Sequence, residues 1–235
     1  MFTGFTDDTI RFFLDLKFHN STEYFHQDHE RYLKDVQKPF YDFIEDLGSQ
    51  MKDIDPLMEI RPYKCLSHIH RDTRFSRDKS PYRDHLWLLF RRAAEPRDRS
   101  LFYFFEFGPG RLDWGMGFWG ENREAMDLFR KRMAAWPAEI ASVIDPFAAN
   151  RRRLYLGGSV HKRMSVPPQI PERLKRWYLA KEMYIGKAEP KYELAFSEEL
   201  VKEVGKDFNT LAPLYRMFRG FADENAQQQK EESIV

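Results

Sequence analysis

One apolar run, Leu101-Phe-Tyr-Phe-Phe-Glu-Phe107, constrains the fold more than any other part of the sequence. Successive side chains of a strand point to opposite faces, so this run is apolar on both faces. Such a strand is typical of the covered centre of a sheet. Gly108-Pro-Gly110 follows at once and predicts a turn into a neighbouring strand. The chain is therefore expected to be built around a sheet.

Short apolar runs separated by turn residues lie on both sides of this strand and indicate an antiparallel sheet. We predict strands near residues 62–71, 84–91, 101–107 and 112–119. The second could instead be a helix that opens at Ser80-Pro81, but the compact run Leu86-Trp-Leu-Leu-Phe90 favours a strand. In the fourth, Gly115 and Gly117 share one face, which is typical of a bulge, a close backbone contact or space for a ligand.

Helical patterns precede the sheet. Thr6 has the side chain of an N-cap, and apolar residues follow it at helical spacing, so we predict a helix over residues 7–18. Asn20-Ser-Thr-Glu23 is typical of a capping box and predicts a second helix to about residue 35. A third is expected from Pro39, because proline is tolerated in a first turn, where its missing N–H needs no partner.

Helical patterns also follow the sheet, and we predict helices at residues 122–135, 138–145, 171–179 and 197–206. From Asp223 the sequence is rich in Gln and Glu and has no apolar period, which is typical of disorder. The sequence therefore predicts a single α+β domain over residues 1–222 and a disordered tail at residues 223–235. The domain is expected to be an antiparallel sheet of four or more strands flanked by N-terminal and C-terminal helices.

Charge and cysteine content limit the expected partners. The 235 residues include 38 Lys and Arg against 37 Asp and Glu, so the chain lacks the global positive field that attracts nucleic acid. Cys65 is the single cysteine, which allows no intramolecular disulfide and fits a reducing compartment. No stretch approaches the roughly eighteen apolar residues of a membrane span. Charged residues interrupt every apolar stretch of the first twenty residues that could serve as a signal-peptide core. We expect a cytoplasmic protein for which nucleic acid and membranes are not the partners.

The most chemically distinctive part of the sequence is Arg71-Asp-Thr-Arg-Phe-Ser-Arg-Asp-Lys-Ser-Pro-Tyr-Arg83, the charged segment. It holds five cations and two carboxylates, a surplus of three positive charges. Guanidinium forks give paired donors in a plane and a lysine gives a mobile point charge, and both suit phosphate or carboxylate groups. The sequence therefore predicts an anion-binding pocket, which could be the active site of an enzyme. Its candidate residues are Arg71, Asp72, Arg74, Ser76, Asp78, Lys79, Tyr82 and Arg83.

Within this pocket Arg71, Arg74, Lys79 and Arg83 would bind the anionic group of a small molecule, Asp72 or Asp78 would orient these cations or act as a base, and Tyr82 would donate a hydrogen bond. The alternative is a non-catalytic structural or protein-interaction module. In that case Asp72 and Asp78 accept hydrogen bonds from neighbouring guanidinium groups, and the segment is an internal salt-bridge network. Phe75 would then anchor it in the core. The residues alone leave both alternatives open.

Other constellations carry less weight. His68, His70 and Asp72 share one face of a predicted strand, a geometry that could present three metal ligands. Arg71 and Arg74 would repel a cation there, so no metal site is predicted. The sequence contains no Walker loop, no dinucleotide fingerprint and no Gly-x-Ser-x-Gly elbow, and we expect no cofactor.

Two basic runs, Arg151-Arg-Arg153 and His161-Lys-Arg163, could join the charged segment in a basic patch on which Trp114 and Trp119 stack nucleic-acid bases. The near-zero net charge makes this the weakest of the three hypotheses. Cys65 lies in an apolar pattern and is expected to be a small buried residue rather than a nucleophile.

Over most of residues 2–220 the sequence resembles the family called domain of unknown function 2461. The resemblance is carried by Phe12-Phe13-Leu14, by the start of the second helix at Asn20, by Arg71-Asp-x-Arg-Phe-Ser-x-Asp-Lys-Ser-Pro-Tyr82, by Gly115-x-Gly117 and by Pro213-Leu214. It implies a shared fold and an important site at the charged segment, and it implies no reaction. His19, Tyr24 and His68 depart from the family pattern, so ligand preference could differ here.

Overall fold

A computed structural model describes residues 1–96, 100–118, 120, 122–148 and 153–232. The chain begins with the helices α1 (Asp7–Phe18), α2 (Thr22–Gln27), α3 (His29–Arg31), α4 (Lys38–Ile54) and α5 (Pro62–Cys65), with a π-helical stretch at Tyr32–Gln37. The strands β1 (Leu86–Phe90), β2 (Leu101–Gly108) and β3 (Arg111–Phe118) follow. The remaining elements are α6 (Arg123–Ala135), α7 (Pro137–Ala148), β4 (Leu154–Leu156), α8 (Lys175–Leu179), β5 (Tyr184–Lys187) and α9 (Glu199–Glu232), with 3-10 turns at Glu172–Leu174 and Tyr192–Phe196.

The strands form a five-stranded antiparallel sheet in the order β1-β2-β3-β5-β4. The predicted α+β class, with an antiparallel sheet of four or more strands between helices, is confirmed. The predicted strands near residues 84–91, 101–107 and 112–119 correspond to β1, β2 and β3. The apolar run of β2 is buried at every position except Glu106, as expected of a covered strand.

The predicted strand over residues 62–71 is wrong. Pro62 opens the single helical turn α5, in which the amides of Lys64 and Cys65 donate to the carbonyl of Arg61. Proline suits a first helical turn, and this local preference prevails over the apolar pattern. Beyond the turn only isolated bridges remain in this stretch among the described residues, Leu66 with Leu88 and His70 with Tyr82.

The glycines of β3 serve a close backbone contact. Gly115 pairs with Gly186, and Gly117 pairs with Tyr184. A Cβ atom added to Gly115 would lie 1.8 Å from the carbonyl oxygen of Ile185, and one added to Gly117 would lie 2.7 Å from that of Met183. Any side chain would therefore push β5 away. Of the three explanations for these glycines, close packing of strands applies and space for a ligand does not.

Contacts divide the chain into two compact units. The first comprises Met1–Ala93, Phe104–Trp114 and Glu189–Lys206, and the second comprises Ala94–Tyr103, Gly115–Ala188 and Asp207–Val235. The charged segment belongs to the first unit. The single domain over residues 1–222 stays a prediction, and so does the disordered tail, although α9 continues to Glu232.

The first unit has an aromatic core. The ring of Phe5 lies 4.1 Å from that of Phe107 and 4.8 Å from that of Phe40, and the rings of Phe43 and Phe105 are 4.4 Å apart. Edge and offset contacts between rings add to the free energy gained from burying their area. These contacts hold α4 and the N-terminal residues against the part of β2 that belongs to this unit.

The second unit has an aromatic core of its own. Tyr103 packs on Phe208 and Tyr215, with ring centres 4.8 and 5.2 Å apart, and Phe129 lies 4.8 Å from Phe218. The helix α6 that carries Phe129 is capped by Asn122, whose side chain accepts from the amide of Ala125. No helix among the described residues is long and apolar enough to cross a bilayer.

Candidate functional site

The charged segment borders a cavity of about 330 Å³ in the first unit. Its walls come from the last turn of α1 and Asn20 beyond it, from parts of the charged segment, from the two residues that precede β1 and from the first residue of β3. The residues that line it are Lys17, Asn20, Arg71, Asp78, Ser80, Tyr82, Arg83, Asp84, His85 and Arg111.

Backbone pairing brings the two ends of the charged segment together. The amide of Arg71 donates to the carbonyl of Pro81 at 2.7 Å, and the amide of Arg83 donates to that of Ile69 at 2.9 Å. His70 and Tyr82 form the bridge between these bonds. The segment is therefore a long hairpin-like loop, and its ends place Arg71 and Arg83 on the same cavity.

Asn20 fastens this loop to the end of α1. Its side-chain amide donates to the carbonyl of Tyr82 at 3.0 Å, and its side-chain oxygen accepts from the Tyr82 amide at 2.9 Å. Both backbone polar groups of Tyr82 are thus paired by one side chain, as a neighbouring strand would pair them. Ser21, one residue later than the capping box suggested, caps α2 by accepting from the amide of Tyr24. This shift leaves Asn20 to hold the loop.

Tyr82 itself is 3% exposed. Its ring stacks on Phe25 at 4.3 Å and lies 4.9 Å from the ring of His70. The ring therefore belongs to an aromatic cluster beneath the cavity, and the hydrogen-bond donation expected of Tyr82 stays a prediction.

Charges around the cavity are unequal in number. Its lining carries four permanent cations, Lys17, Arg71, Arg83 and Arg111, against the two carboxylates of Asp78 and Asp84. The guanidinium carbon of Arg83 lies 4.5 Å from the centre of the Trp87 ring, a cation–π contact that sets the position of the fork. Arg71 donates to the carboxylate of Asp78. The surplus of positive charge lies on side chains from three separate parts of the chain.

Asp78 is held in its ionised form. It accepts from the hydroxyl of Ser80 at 2.7 Å and from the Ser80 amide at 2.9 Å, and it pairs with Arg71. These bonds hold the pKa of the Asp78 carboxyl well below its usual range. A carboxylate with so low a pKa is a weak base, so its visible role is to fix Arg71 and Ser80.

Only part of the charged segment lines the cavity. We call the lining residues the ends of the segment, namely Arg71, Asp78, Ser80, Tyr82 and Arg83, and the residues from Asp72 to Arg77 together with Lys79 its middle. Arg74 donates twice to the carboxylate of Asp72, at 2.9 and 2.7 Å, which lowers the pKa of Asp72 to about 2. The Lys79 ammonium donates to the carbonyl of Thr73 at 2.9 Å. Among the described residues that line the cavity, the candidates Asp72, Arg74, Ser76 and Lys79 are not found.

Phe75 does not anchor the segment in the core, as the structural alternative had supposed. It is 95% exposed, and the guanidinium carbon of Arg74 lies 5.8 Å from its ring centre. Bonds within the loop, the two hydrogen bonds from Asn20 and the buried ring of Tyr82 hold the segment instead.

Sequence reasoning missed an acidic–histidine pair on the cavity. The Asp84 carboxylate lies 2.7 Å from Nδ1 of His85, and Nε2 of His85 lies 3.4 Å from the Glu106 carboxylate. Burial raises the pKa of Asp84, but the bond to His85 and the charges of His85, Lys17 and Arg111 outweigh it, so the pKa is lowered. The pair directly follows the charged segment, which is the one local signal that could have found it.

Lys17 and Arg111 were missed because the signal for them is not local. Lys17 lies in the last turn of α1, 3.8 Å from Asp84, and Arg111 opens β3, 3.1 Å from Glu106. Each would be read in sequence as an ordinary exposed cation at the end of an element. Only the tertiary fold places them on the cavity.

His68, His70 and Asp72, which share a strand face in the sequence pattern, do not come together as metal ligands in the structure. Among the described residues no group of three or more His, Cys, Asp or Glu could hold a metal ion. His68 is exposed, and Asp72 is occupied by Arg74. Of the basic runs, Arg151, Arg152 and the stacking candidate Trp119 lie outside the described residues, so the nucleic-acid patch stays a prediction.

A family model described as "Conserved hypothetical protein (DUF2461)" matches residues 8–217. The chain belongs to this family. The matched range includes every residue that lines the cavity. No curated protein and no solved structure matches the sequence significantly. The predicted family is therefore confirmed, and membership brings no reaction with it.

Another, smaller cavity of about 220 Å³ in this DUF2461 chain is lined by Glu59, Arg61, Lys64, Leu89, Arg91 and Ala93. Arg61 forms a two-pronged pair with Glu59 and lowers the pKa of that carboxyl to about 2. Cys65 is buried beside it, as predicted, and burial raises the pKa of its thiol to about 12. A thiol so hard to ionise is a poor nucleophile.

Proposed function

We propose that the cavity of about 330 Å³ binds the phosphate or carboxylate group of a small molecule. The observation that carries the proposal is the charge of the lining, four permanent cations against two carboxylates. An anion that entered would offset this surplus, and arginine forks suit its oxygens. The cavity volume lies at the lower end of the range of about 300–1,000 Å³ that is usual for ligand pockets.

Pre-organisation supports the same proposal. The ring of Trp87 sets the position of Arg83, and paired backbone bonds fix the segment ends from which Arg71 and Arg83 project. Asn20 joins these ends to α1, whose last turn carries Lys17. Side chains that are already ordered lose less conformational entropy when a ligand binds. Arg71 and Arg83 thus need little rearrangement to bind an anion.

The alternative, a structural or interaction module with an internal salt-bridge network, also has observations in its favour. Asp72 is fully engaged by Arg74, Lys79 is bound to a backbone carbonyl, and Arg71 pairs with Asp78. If the segment serves only the fold, the cations on the cavity balance neighbouring carboxylates and bind nothing further. The two proposals agree on the middle of the segment and differ on its ends.

Calorimetric titration separates them. Inorganic phosphate and malonate, a dicarboxylate, are titrated in turn into the wild-type chain, and comparison of the two shows which group the cavity prefers. Arg83→Ala and Arg71→Ala are expected to raise the Kd for the preferred anion roughly tenfold or more, because each removes charge-assisted bonds worth about 1.5–3 kcal/mol.

The matched control is Lys79→Ala, which removes a cation of the same segment outside the cavity lining and should change the Kd less than about twofold. Wild-type protein that binds neither anion would contradict the proposal and favour the structural alternative. An equal loss of affinity in all three variants would also contradict it, because it would indicate a diffuse surface charge rather than a site.

A further inference from the structure

The sequence analysis assigned the role of base to Asp72 or Asp78, but in the structure both carboxylates are bound to other side chains. Asp72 lies outside the cavity and binds Arg74, and Asp78 binds Ser80 and Arg71. Both have a lowered pKa, so neither readily accepts a proton near neutral pH. If a ligand in the cavity exchanges a proton with the protein, another group must do it.

His85 is the group whose surroundings fit. Its side chain is 18% exposed, and it is the histidine on the cavity lining. Nδ1 lies 2.7 Å from the Asp84 carboxylate, a normal hydrogen-bond length. Because the pKa of Asp84 is lowered and an ionised carboxylate can only accept, Nδ1 is assigned as the protonated donor of this bond. A carboxylate on one ring nitrogen fixes the tautomer and leaves the other nitrogen to exchange protons.

Charges face His85 from each element around it. On the side of Nε2 lies Glu106 of β2, at 3.4 Å, longer than the usual range of about 2.7–3.2 Å for such a hydrogen bond. Arg111 of β3 binds that carboxylate at 3.1 Å, and Lys17 of α1 lies 3.8 Å from Asp84. Each carboxylate next to the imidazole therefore also has a cation within 4 Å of it. The centre of the Trp87 ring, over which the Arg83 guanidinium lies, is 5.8 Å from the centre of the imidazole.

Close packing fixes the backbone of His85. A Cβ atom added to Gly108, at the end of β2, would lie 2.5 Å from Cβ of His85 and 3.0 Å from the carbonyl oxygen of Asp84. Glycine at this position is what lets the Asp84–His85 pair lie against the strand that bears Glu106. The imidazole therefore has a defined place on the wall of the cavity.

We propose that His85, oriented by Asp84, is the proton-exchanging group of the cavity, and that its Nε2 takes up a proton when a doubly charged oxyanion binds. This inference rests on the proposed anion site and names its acid–base residue. In the step itself, the lone pair of Nε2 forms a bond to a proton from hydronium or a buffer acid, whose own bond to that proton breaks and leaves water or the conjugate base. The imidazolium can then donate that proton to an oxygen of the ligand and return to the neutral form.

Linkage fixes the sign of the effect. A nearby dianion stabilises the imidazolium over the neutral imidazole, so binding draws in a proton and, reciprocally, a fall in pH strengthens binding. Imidazole is the side chain that ordinarily changes charge between pH 5 and 8. Asp84 stays ionised across this range because its pKa is lowered, so it does not contribute to the change.

Sulfate is the probe, because it is tetrahedral and stays doubly charged across this range, whereas inorganic phosphate would exchange protons itself. Calorimetry of sulfate binding is repeated at pH 6.5 in buffers that differ in ionisation enthalpy, which yields the number of protons taken up per sulfate. The wild type is expected to take up on the order of half a proton, and its affinity should rise roughly fivefold from pH 8 to pH 6.

In His85→Asn the proton uptake and the pH dependence of the sulfate affinity should vanish, while sulfate still binds through Arg71 and Arg83. His68→Asn is the matched control, because it removes an exposed histidine of the same unit, and it should behave as wild type. If proton uptake is unchanged in His85→Asn, the inference is overturned and the anion site stands. A wild type that binds no sulfate overturns the anion site, and this inference with it.

A spectroscopic measurement covers the case in which His85→Asn does not fold. The ring nitrogen signals of His85 in the 15N-labelled wild type report its tautomer and its protonation directly. They should show Nδ1–H in the unbound protein and move toward the doubly protonated form when sulfate is added. Signals that do not move at saturating sulfate would overturn the inference.

Discussion

The ends and the middle of the charged segment contain similar residues, but their charged side chains have different surroundings. At the ends, Arg71 and Arg83 lie on a cavity. Asn20, distant in sequence, holds the backbone of Tyr82 beside Arg83, and the nearby ring of Trp87 positions the Arg83 guanidinium. In the middle, Asp72 and Arg74 satisfy each other two residues apart. The comparison shows that the local charge pattern does not distinguish a residue that lines the cavity from one that is paired with a near neighbour in the sequence. What distinguishes them is the tertiary contacts that hold them.

The largest effect is expected when the hydrogen bonds that attach the ends of the segment to the rest of the chain are removed. Asn20→Ala removes both hydrogen bonds to the backbone of buried Tyr82. Because a buried polar group without a partner costs about 1–3 kcal/mol, we expect the free energy of unfolding to fall by roughly 2 kcal/mol or more. Chemical denaturation measures the change. Phosphate affinity should fall as well, since the loop that presents Arg71 and Arg83 loses its attachment.

Asn20→Asp is the matched control for this variant, because it keeps the oxygen that accepts from the Tyr82 amide and loses the donor to the Tyr82 carbonyl. Its stability should lie between those of the wild type and Asn20→Ala. Full wild-type stability in Asn20→Ala would show that the loop is held by other contacts and would remove the distinction between ends and middle.

Sequence patterns predicted the parts of this fold that depend on local order. The both-faced apolar run of β2, the turn at Gly108–Gly110 and the N-cap at Thr6 follow from propensity and periodicity, and the structure contains all three. The strand predicted over residues 62–71 failed because Pro62 favours a helical turn, a preference that an apolar pattern does not reveal. Family resemblance marked the charged segment without separating its two parts.

The candidate site was predicted only where it is local. Arg71, Asp78, Tyr82 and Arg83 line the cavity and lie in one recognisable segment. Lys17 and Arg111 come from elements far away in sequence, and nothing in their own neighbourhoods indicates a shared cavity. Asp84–His85 could have been noticed as an acid–histidine pair next to the segment, but Glu106 and Gly108, which position it, belong to another strand.

A smaller effect is expected from the middle of the segment when the pH falls. Arg74 lowers the pKa of Asp72 to about 2 in the folded chain, below its usual value near 3.8. A carboxyl whose pKa is depressed by folding contributes stability above the unfolded value, and this contribution is lost as the pH falls toward the folded value. The pair is exposed, so solvent screens most of it.

Asp72→Asn should therefore match the wild type closely in melting temperature near pH 2 and fall slightly below it above pH 4. Melting curves recorded at half-unit intervals between these limits measure the difference. Asp78→Asn is the comparison from the end of the segment, and it should lower the melting temperature further, because it releases Ser80 and Arg71 together. A larger effect for Asp72 than for Asp78 would reverse the assigned order of the two parts.

The smallest effect is expected at Phe75, which lies in the middle of the segment and is 95% exposed. A phenylalanine that anchored the loop in the core would cost about 3–5 kcal/mol when replaced by alanine. At 95% exposure Phe75 buries almost no area, so Phe75→Ser should change the free energy of unfolding by less than about 0.5 kcal/mol. Phosphate affinity should also stay within about twofold, because the ring lies outside the cavity lining. A large loss of stability would mean that the middle is packed after all, whereas a loss of affinity alone would extend the binding site along the whole segment.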